Sequence, residues 1–148
     1  MPSTHCALYV HVVFSTKNRV PLIDAEWRRR LHEYLGGTLR GLDAHAHAAG
    51  GTEDHVHLLI GLKPTHVLAD LVRETKKTSS TWVREEIGAS DFAWQPGYAC
   101  FSVSATGLDG VRQYIAKQEE HHRQHSFREE LVEMLKRAGV EYDPRFLD

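Results

Sequence analysis

The stretch Asp54-His55-Val56-His57-Leu58-Leu59-Ile60 constrains the fold of this chain more than any other. Gly50-Gly51-Thr52-Glu53 precedes it and reads as a hairpin turn, which makes 43–49 and 54–62 two paired extended segments. Alternate side chains of a strand share a face. Val56, Leu58 and Ile60 therefore anchor this strand in a core, while His55 and His57 project together from its other side. A strand of this kind belongs inside a sheet that helices cover.

The remaining pattern supplies those helices and the other strands. Tyr9 to Ser15 alternates as a strand, with Val10, Val12 and Phe14 on one face. Asp24 is a suitable N-cap for a helix carrying Trp27, Leu31, Tyr34, Leu35 and Leu39, which Gly41 ends. Pro64-Thr65 opens a second helix that Gly88 stops, and a strand follows at about 98–104. Another helix is expected over about 108–123. Ser126 and Glu129 form a capping box for a last one, which stops at Gly139. The order β-α-β-β-α-β-α-α predicts an α+β fold: a ferredoxin-like four-stranded antiparallel sheet with additional C-terminal helices. One domain is expected over 1–148, with a core at about 5–125 and a helical extension at 126–148 to which no chemistry is assigned.

Charge and composition narrow the function classes. No run of about 18 apolar residues occurs, so no membrane-spanning helix is expected. Met1-Pro2-Ser3-Thr4-His5 lacks the blocks of a signal peptide, and Cys6 and Cys100 have no CxxC spacing. The expected location is the cytoplasm. The net charge of −2 is low for a nucleic-acid binder, but it is unevenly spread. Residues 63–84 carry Lys63, Arg73, Lys76, Lys77 and Arg84 against Asp70 and Glu74, a balance of +3. Residues 119–148 balance at −3. The 11 histidines invite a metal or proton-transfer reading.

Two local features carry that reading. His55 and His57, side by side on a rigid strand, make half of a metal site. By spacing alone His45-Ala46-His47 is an equal candidate, although its alanine neighbours beside a Gly-Gly turn suggest a looser strand near the surface. On the helix after residue 108, Tyr114, Gln118, His121 and His125 fall within a stripe of about 60°. Val111 and Ile115 lie beside it, so the stripe is polar at the edge of a core. Taken alone, Tyr114 is equally a half-buried tyrosine hydrogen-bonded to Gln118.

Tyr9-Val10-His11-Val12-Val13-Phe14-Ser15-Thr16-Lys17-Asn18-Arg19, Asp54-His55-Val56-His57-Leu58-Leu59 and Lys76-Lys77-Thr78-Ser79-Ser80 occur in that order. Trp94-Gln95-Pro96-Gly97-Tyr98, Phe101-Ser102-Val103-Ser104 and Tyr114-Ile115-Ala116-Lys117-Gln118 follow them. Together these motifs, over roughly residues 5–125, resemble the short single-tyrosine HUH transposases of bacterial insertion sequences, whose relatives include the repeat-associated tyrosine transposases. The resemblance implies that Tyr114 is the catalytic nucleophile and that His55, His57 and Gln118 are metal ligands for Mg²⁺ or Mn²⁺. It implies DNA contacts by Arg73, Lys76 and Lys77, a homodimer, and single-stranded DNA with hairpin ends as partner. The expected chemistry is metal-dependent cleavage and rejoining of a strand through a 5′-phosphotyrosine, because a tyrosine with a pKa of about 10 is a poor nucleophile unaided. Two alternatives stay open: a domesticated nuclease of repeated palindromes, and a ferredoxin-like nucleic-acid-binding module without chemistry. A zinc protease is disfavoured by the absence of an HExxH spacing.

Overall fold

Strands Leu8–Ser15 (β1), His45–Gly51 (β2), His55–Leu62 (β3) and Ala99–Val103 (β4) form one antiparallel sheet in the order β2-β3-β1-β4. The helices are Ala25–Gly41 (α1), Leu68–Trp82 (α2), Leu108–Ala116 (α3), Gln118–His121 (α4) and Phe127–Ala138 (α5). The computed structural model describes residues 3–147; Met1, Pro2 and Asp148, counted in the single expected domain, lie outside the described residues. The expected β-α-β-β-α-β topology is therefore present, with the hairpin strand β3 and the first strand β1 at the centre.

The central pair explains the two-sided burial of the sheet. β1 and β3 run in register from Leu8 opposite Leu62 to Ser15 opposite His55. On one face Val12, Phe14, Val56, Leu58 and Ile60 meet Leu31, Leu35 and Leu39 of α1 and Leu71 and Val72 of α2. α1 begins where the Asp24 carboxylate accepts the Glu26 backbone N–H at 3.2 Å. On the opposite face Phe127, Leu131 and Leu135 of α5 close on Val13, with Ala99 and Phe101 alongside. The capping box that starts α5 is formed as expected, and Gly139 ends the helix in the left-handed conformation at φ 69°.

Several boundaries differ from the sequence expectation. The chain at Pro64–Val67 makes a turn, in which the His66 N–H bonds the Lys63 carbonyl and the His66 ring accepts the Lys63 N–H, so α2 starts only at Leu68. Beyond Trp82 the helix widens into a π-turn over Val83–Ile87 before Gly88 stops it at φ 88°. The helix expected over 108–123 is split. Lys117 leaves helical geometry (φ −102°, ψ 19°), and its N–H folds back to the carbonyls of Gln113 and Tyr114. The restart at Gln118 turns both Gln118 and His122 toward β3.

Gly50 sets how closely α3 approaches the sheet. It lies opposite His57 in the β2–β3 register, and a Cβ there would stand 2.7 Å from the Ile115 carbonyl oxygen and 2.8 Å from its Cγ2. Only a residue without a side chain lets α3 rest on β2 at this point, which brings Tyr114 beside His57. Gly50→Ala is expected to cost about 1–3 kcal/mol by overpacking. Denaturant unfolding reads that loss, and near-wild-type stability contradicts the account of how α3 docks.

Candidate active site

The face of β3 that turns away from α1 and α2 carries His55 and His57, both with no solvent exposure. Each ring is fixed from behind. His55 Nδ1 lies 2.8 Å from an Asp54 carboxylate oxygen and 3.1 Å from the Thr52 hydroxyl. His57 Nδ1 lies 2.7 Å from Nε2 of His11, which β1 contributes from the same face. These contacts leave both Nε2 atoms aimed into one space, the arrangement by which a second group orients a metal-ligating imidazole.

Three further elements close that space. Gln118 brings Oε1 to 3.0 Å from His55 Nε2 and to 3.0 Å from Nε2 of His122. Glu130 of α5, 2% exposed, reaches in from the far side. Its Oε1 stands 3.0 Å from His57 Nε2, 3.2 Å from His122 Nε2 and 3.5 Å from His55 Nε2. Its Oε2 accepts from the Gln118 amide at 3.0 Å and from the Tyr114 hydroxyl. One donor atom from each of His55, His57, His122 and Glu130 thus falls within 4.8 Å of the others. Four such groups match the donor types that hold divalent transition metals.

Burial and charge set the protonation of this cluster. Desolvation depresses His57 to about 4 against the opposing pull of Glu130, and it depresses His11 to about 3. Burial alone would raise the Glu130 carboxyl. Its hydrogen bonds to His122, His57 and Tyr114 overcome that and hold it far below the usual carboxylate range. His122 moves the other way. Burial lowers it, but Glu130, the His125 carbonyl and Asp54 together raise it above 6.5. Tyr114 is pushed well above its ordinary value, first by burial and then by its bond to Glu130. In this arrangement Tyr114 is firmly a phenol.

Of the residues singled out in the sequence, Tyr114, His55, His57 and Gln118 come together in one site. Arg73, Lys76 and Lys77 do not. They lie on α2, which packs against the other face of the sheet. Arg73 pairs with Asp70 at 3.0 Å, and Lys76 Nζ donates to the carbonyls of Gln95 and Gly97, both at 2.7 Å. The pair His45 and His47 also stays apart from the cluster. A bulge in β2 between Ala46 and Ala48 stacks their rings at 4.1 Å, and Arg112 donates to His47 at 2.8 Å. The extension 126–148, assigned no chemistry from sequence, supplies Glu130. His122 and His11 were also passed over. The signal for Glu130 was present: an acid among Phe127, Leu131 and Leu135, at a spacing that faces the core.

Comparison with known proteins places this geometry in context. The model of the IS200-like transposase family matches residues 4–118. A proposed transposase from Deinococcus radiodurans R1 is similar at 25% identity and a TM-score of 0.64, over 80% of this chain and 95% of that one. A REP-associated tyrosine transposase, solved bound to a REP hairpin, shares the fold at 16% identity and a TM-score of 0.59, over 82% of this chain and 74% of that one. Comparison with curated proteins gives no match.

The buried imidazoles make stability depend on acid. Above pH 6.5 His57 and His11 are neutral in both the folded and the unfolded chain, and their contribution is complete. Between 6.5 and about 4 the unfolded chain takes up protons that these buried rings refuse, so stability falls as pH falls. His122, with its raised value, offsets part of the loss. Thermal midpoints measured in chelator from pH 7.5 to 4.5 are expected to decline most steeply below 6.5. A flat profile contradicts the assignment of His57 and His11 as neutral core groups.

Proposed function

We propose that this chain, which belongs to the IS200-like transposase family, cleaves and rejoins single-stranded DNA with Tyr114 as the nucleophile. One observation carries the reading. Within a single chain, the Tyr114 hydroxyl and the convergent Nε2 atoms of His55 and His57 share one small buried site, joined through Glu130. A tyrosine kept only for packing has no need of two imidazoles whose other nitrogens are already held.

The residues fit a divalent ion. His55 and His57 offer two imidazole nitrogens and Gln118 an amide oxygen from one side of the space. A divalent ion held there, Mg²⁺ or Mn²⁺ by the resemblance, would supply charge neutralisation for phosphoryl transfer. The chain's own residues do the rest. Tyr114 attacks phosphorus, forming a tyrosyl O–P bond to the 5′ side, while the P–O3′ bond breaks and the 3′ oxygen leaves as a hydroxyl. The phenol proton leaves through the Glu130 oxygen to which it already hydrogen bonds as the new O–P bond forms, and it is the proton that the departing 3′ oxygen takes up. His11, Asp54 and Thr52 keep the imidazoles in place through the cycle. Because the phosphotyrosine conserves the ester, another 3′ hydroxyl reverses the step and joins strands without water.

The substrate proposed is a single strand carrying a hairpin, in line with the hairpin bound by the structural relative. The exposed Arg73 and Lys77 of α2 are assigned to the flanking phosphates, where exposed cations add affinity without reading sequence. Lys76 is more occupied, since its ammonium already serves the Gln95–Gly97 loop. The protein is proposed to act in the cytoplasm as a homodimer. No helix among the described residues is long and apolar enough to cross a membrane.

The test is a denaturing gel of the protein with hairpin oligonucleotides from its own flanking DNA, with Mn²⁺ or Mg²⁺. The expected result is a covalent protein–DNA band that needs metal, disappears in Tyr114→Phe and falls at least ~100-fold in His57→Ala. A band that survives Tyr114→Phe overturns the nucleophile. Metal-independent hairpin binding with no band on any strand shows a binding module.

A further inference from the structure

We infer that the resident metal centre of this chain has four protein ligands, His55, His57, His122 and Glu130, and prefers a zinc-class ion to Mg²⁺. The inference deepens the proposed function by naming two ligands beyond the histidine pair and Gln118, one of them from the C-terminal extension. Donor geometry carries it. The Asp54 carboxylate accepts only, so the facing His55 Nδ1 carries a proton and Nε2 is the nitrogen turned to the shared space. The same holds for His122. Its Nδ1 lies 2.7 Å from the His125 carbonyl oxygen, which also only accepts, so Nε2 is the nitrogen turned to the shared space.

Both nitrogens face the same two oxygens. His122 Nε2 lies 3.2 Å from Glu130 Oε1 and 3.0 Å from Gln118 Oε1. His55 Nε2 lies 3.5 Å and 3.0 Å from the same two atoms. The spacing suits an ion. Four donors each about 2.0–2.1 Å from one tetrahedral centre stand about 3.3 Å apart. Glu130 Oε1 lies 3.0, 3.2 and 3.5 Å from the Nε2 atoms of His57, His122 and His55. Three imidazoles and one carboxylate form a nitrogen-rich set that favours Zn²⁺ and Co²⁺, whereas Mg²⁺ demands oxygen and keeps its waters. Gln118 Oε1 sits beside the set as a further oxygen. Glu130 as a ligand also ties α5, and Phe127 stacked on His55 at 4.4 Å, to the state of the site.

The experiment titrates the chelator-treated full chain with Co²⁺, Zn²⁺ and Mg²⁺ by calorimetry and records the visible spectrum of the cobalt form. Expected are one site per chain, Zn²⁺ and Co²⁺ bound at least ~100-fold more tightly than Mg²⁺, and the intense absorption of four-coordinate cobalt. Glu130→Gln and His122→Ala are each expected to weaken Co²⁺ binding by ~100-fold or more and to lower the absorption. Zn²⁺ is expected to raise the thermal midpoint of the wild type more than that of Glu130→Gln. Wild-type affinity and spectrum in both variants overturn the inference, as does a weak six-coordinate spectrum in the wild type. If a variant fails to fold, the wild-type spectrum and metal preference still decide. The titration and the cobalt spectrum need no DNA, so a failure of strand cleavage is distinguishable from a failure of this centre.

Discussion

The carboxylate of Glu130 is the contact on which the closed site depends. One oxygen faces the imidazoles of β3 and His122, and the other holds the Tyr114 hydroxyl and the Gln118 amide. Three parts of the chain meet there: the central hairpin strand, the broken α3–α4 segment and the C-terminal helix. A buried carboxylate is tolerated only when its lone pairs are satisfied. The cluster of donors around Glu130 meets that condition, and apolar packing of Phe127, Leu131 and Leu135 fixes the helix that delivers it.

Everything behind the site exists to hold its atoms still. The register of β1 against β3 sets His11 behind His57, and the turn before β3 sets Asp54 and Thr52 behind His55. Gly50 lets α3 descend onto the sheet, and the break at Lys117 aims Gln118 and His122 together. The opposite face, packed by α1 and α2, supplies rigidity and takes no part in the cluster. A sheet with one face given to packing and the other to chemistry is the arrangement that lets a strand carry two buried imidazoles at no cost to its core.

Much of this was legible in the sequence. Alternation in β1 and β3, the Asp24 cap and the Ser126–Glu129 capping box each act within a few residues, and each element formed where its pattern lay. His55 and His57 stood out by their spacing on one strand, whereas the roles expected of Tyr114 and Gln118 rested on the family resemblance. The spacing of Glu130 on its helix faces the core, but its partner His57 is 73 residues away, so its role was not legible. The helix break at Lys117 has no Pro or Gly to announce it, which hid the turn of His122 toward β3. The charge run on α2 looked like a DNA face. Lys76 also gives its ammonium to two loop carbonyls, a contact that depends on where residues 95–97 fold.

The central claim is that the sheet face gathers His55, His57, His122 and Glu130 around one cation beside Tyr114. An anomalous difference map from crystals grown with Zn²⁺, recorded at the zinc edge, tests it most directly. The account predicts one strong peak at bonding distance from the Nε2 atoms of His55, His57 and His122 and from Glu130 Oε1. A peak at the stacked His45–His47 pair, or at His55 and His57 with Glu130 and His122 turned away, contradicts it.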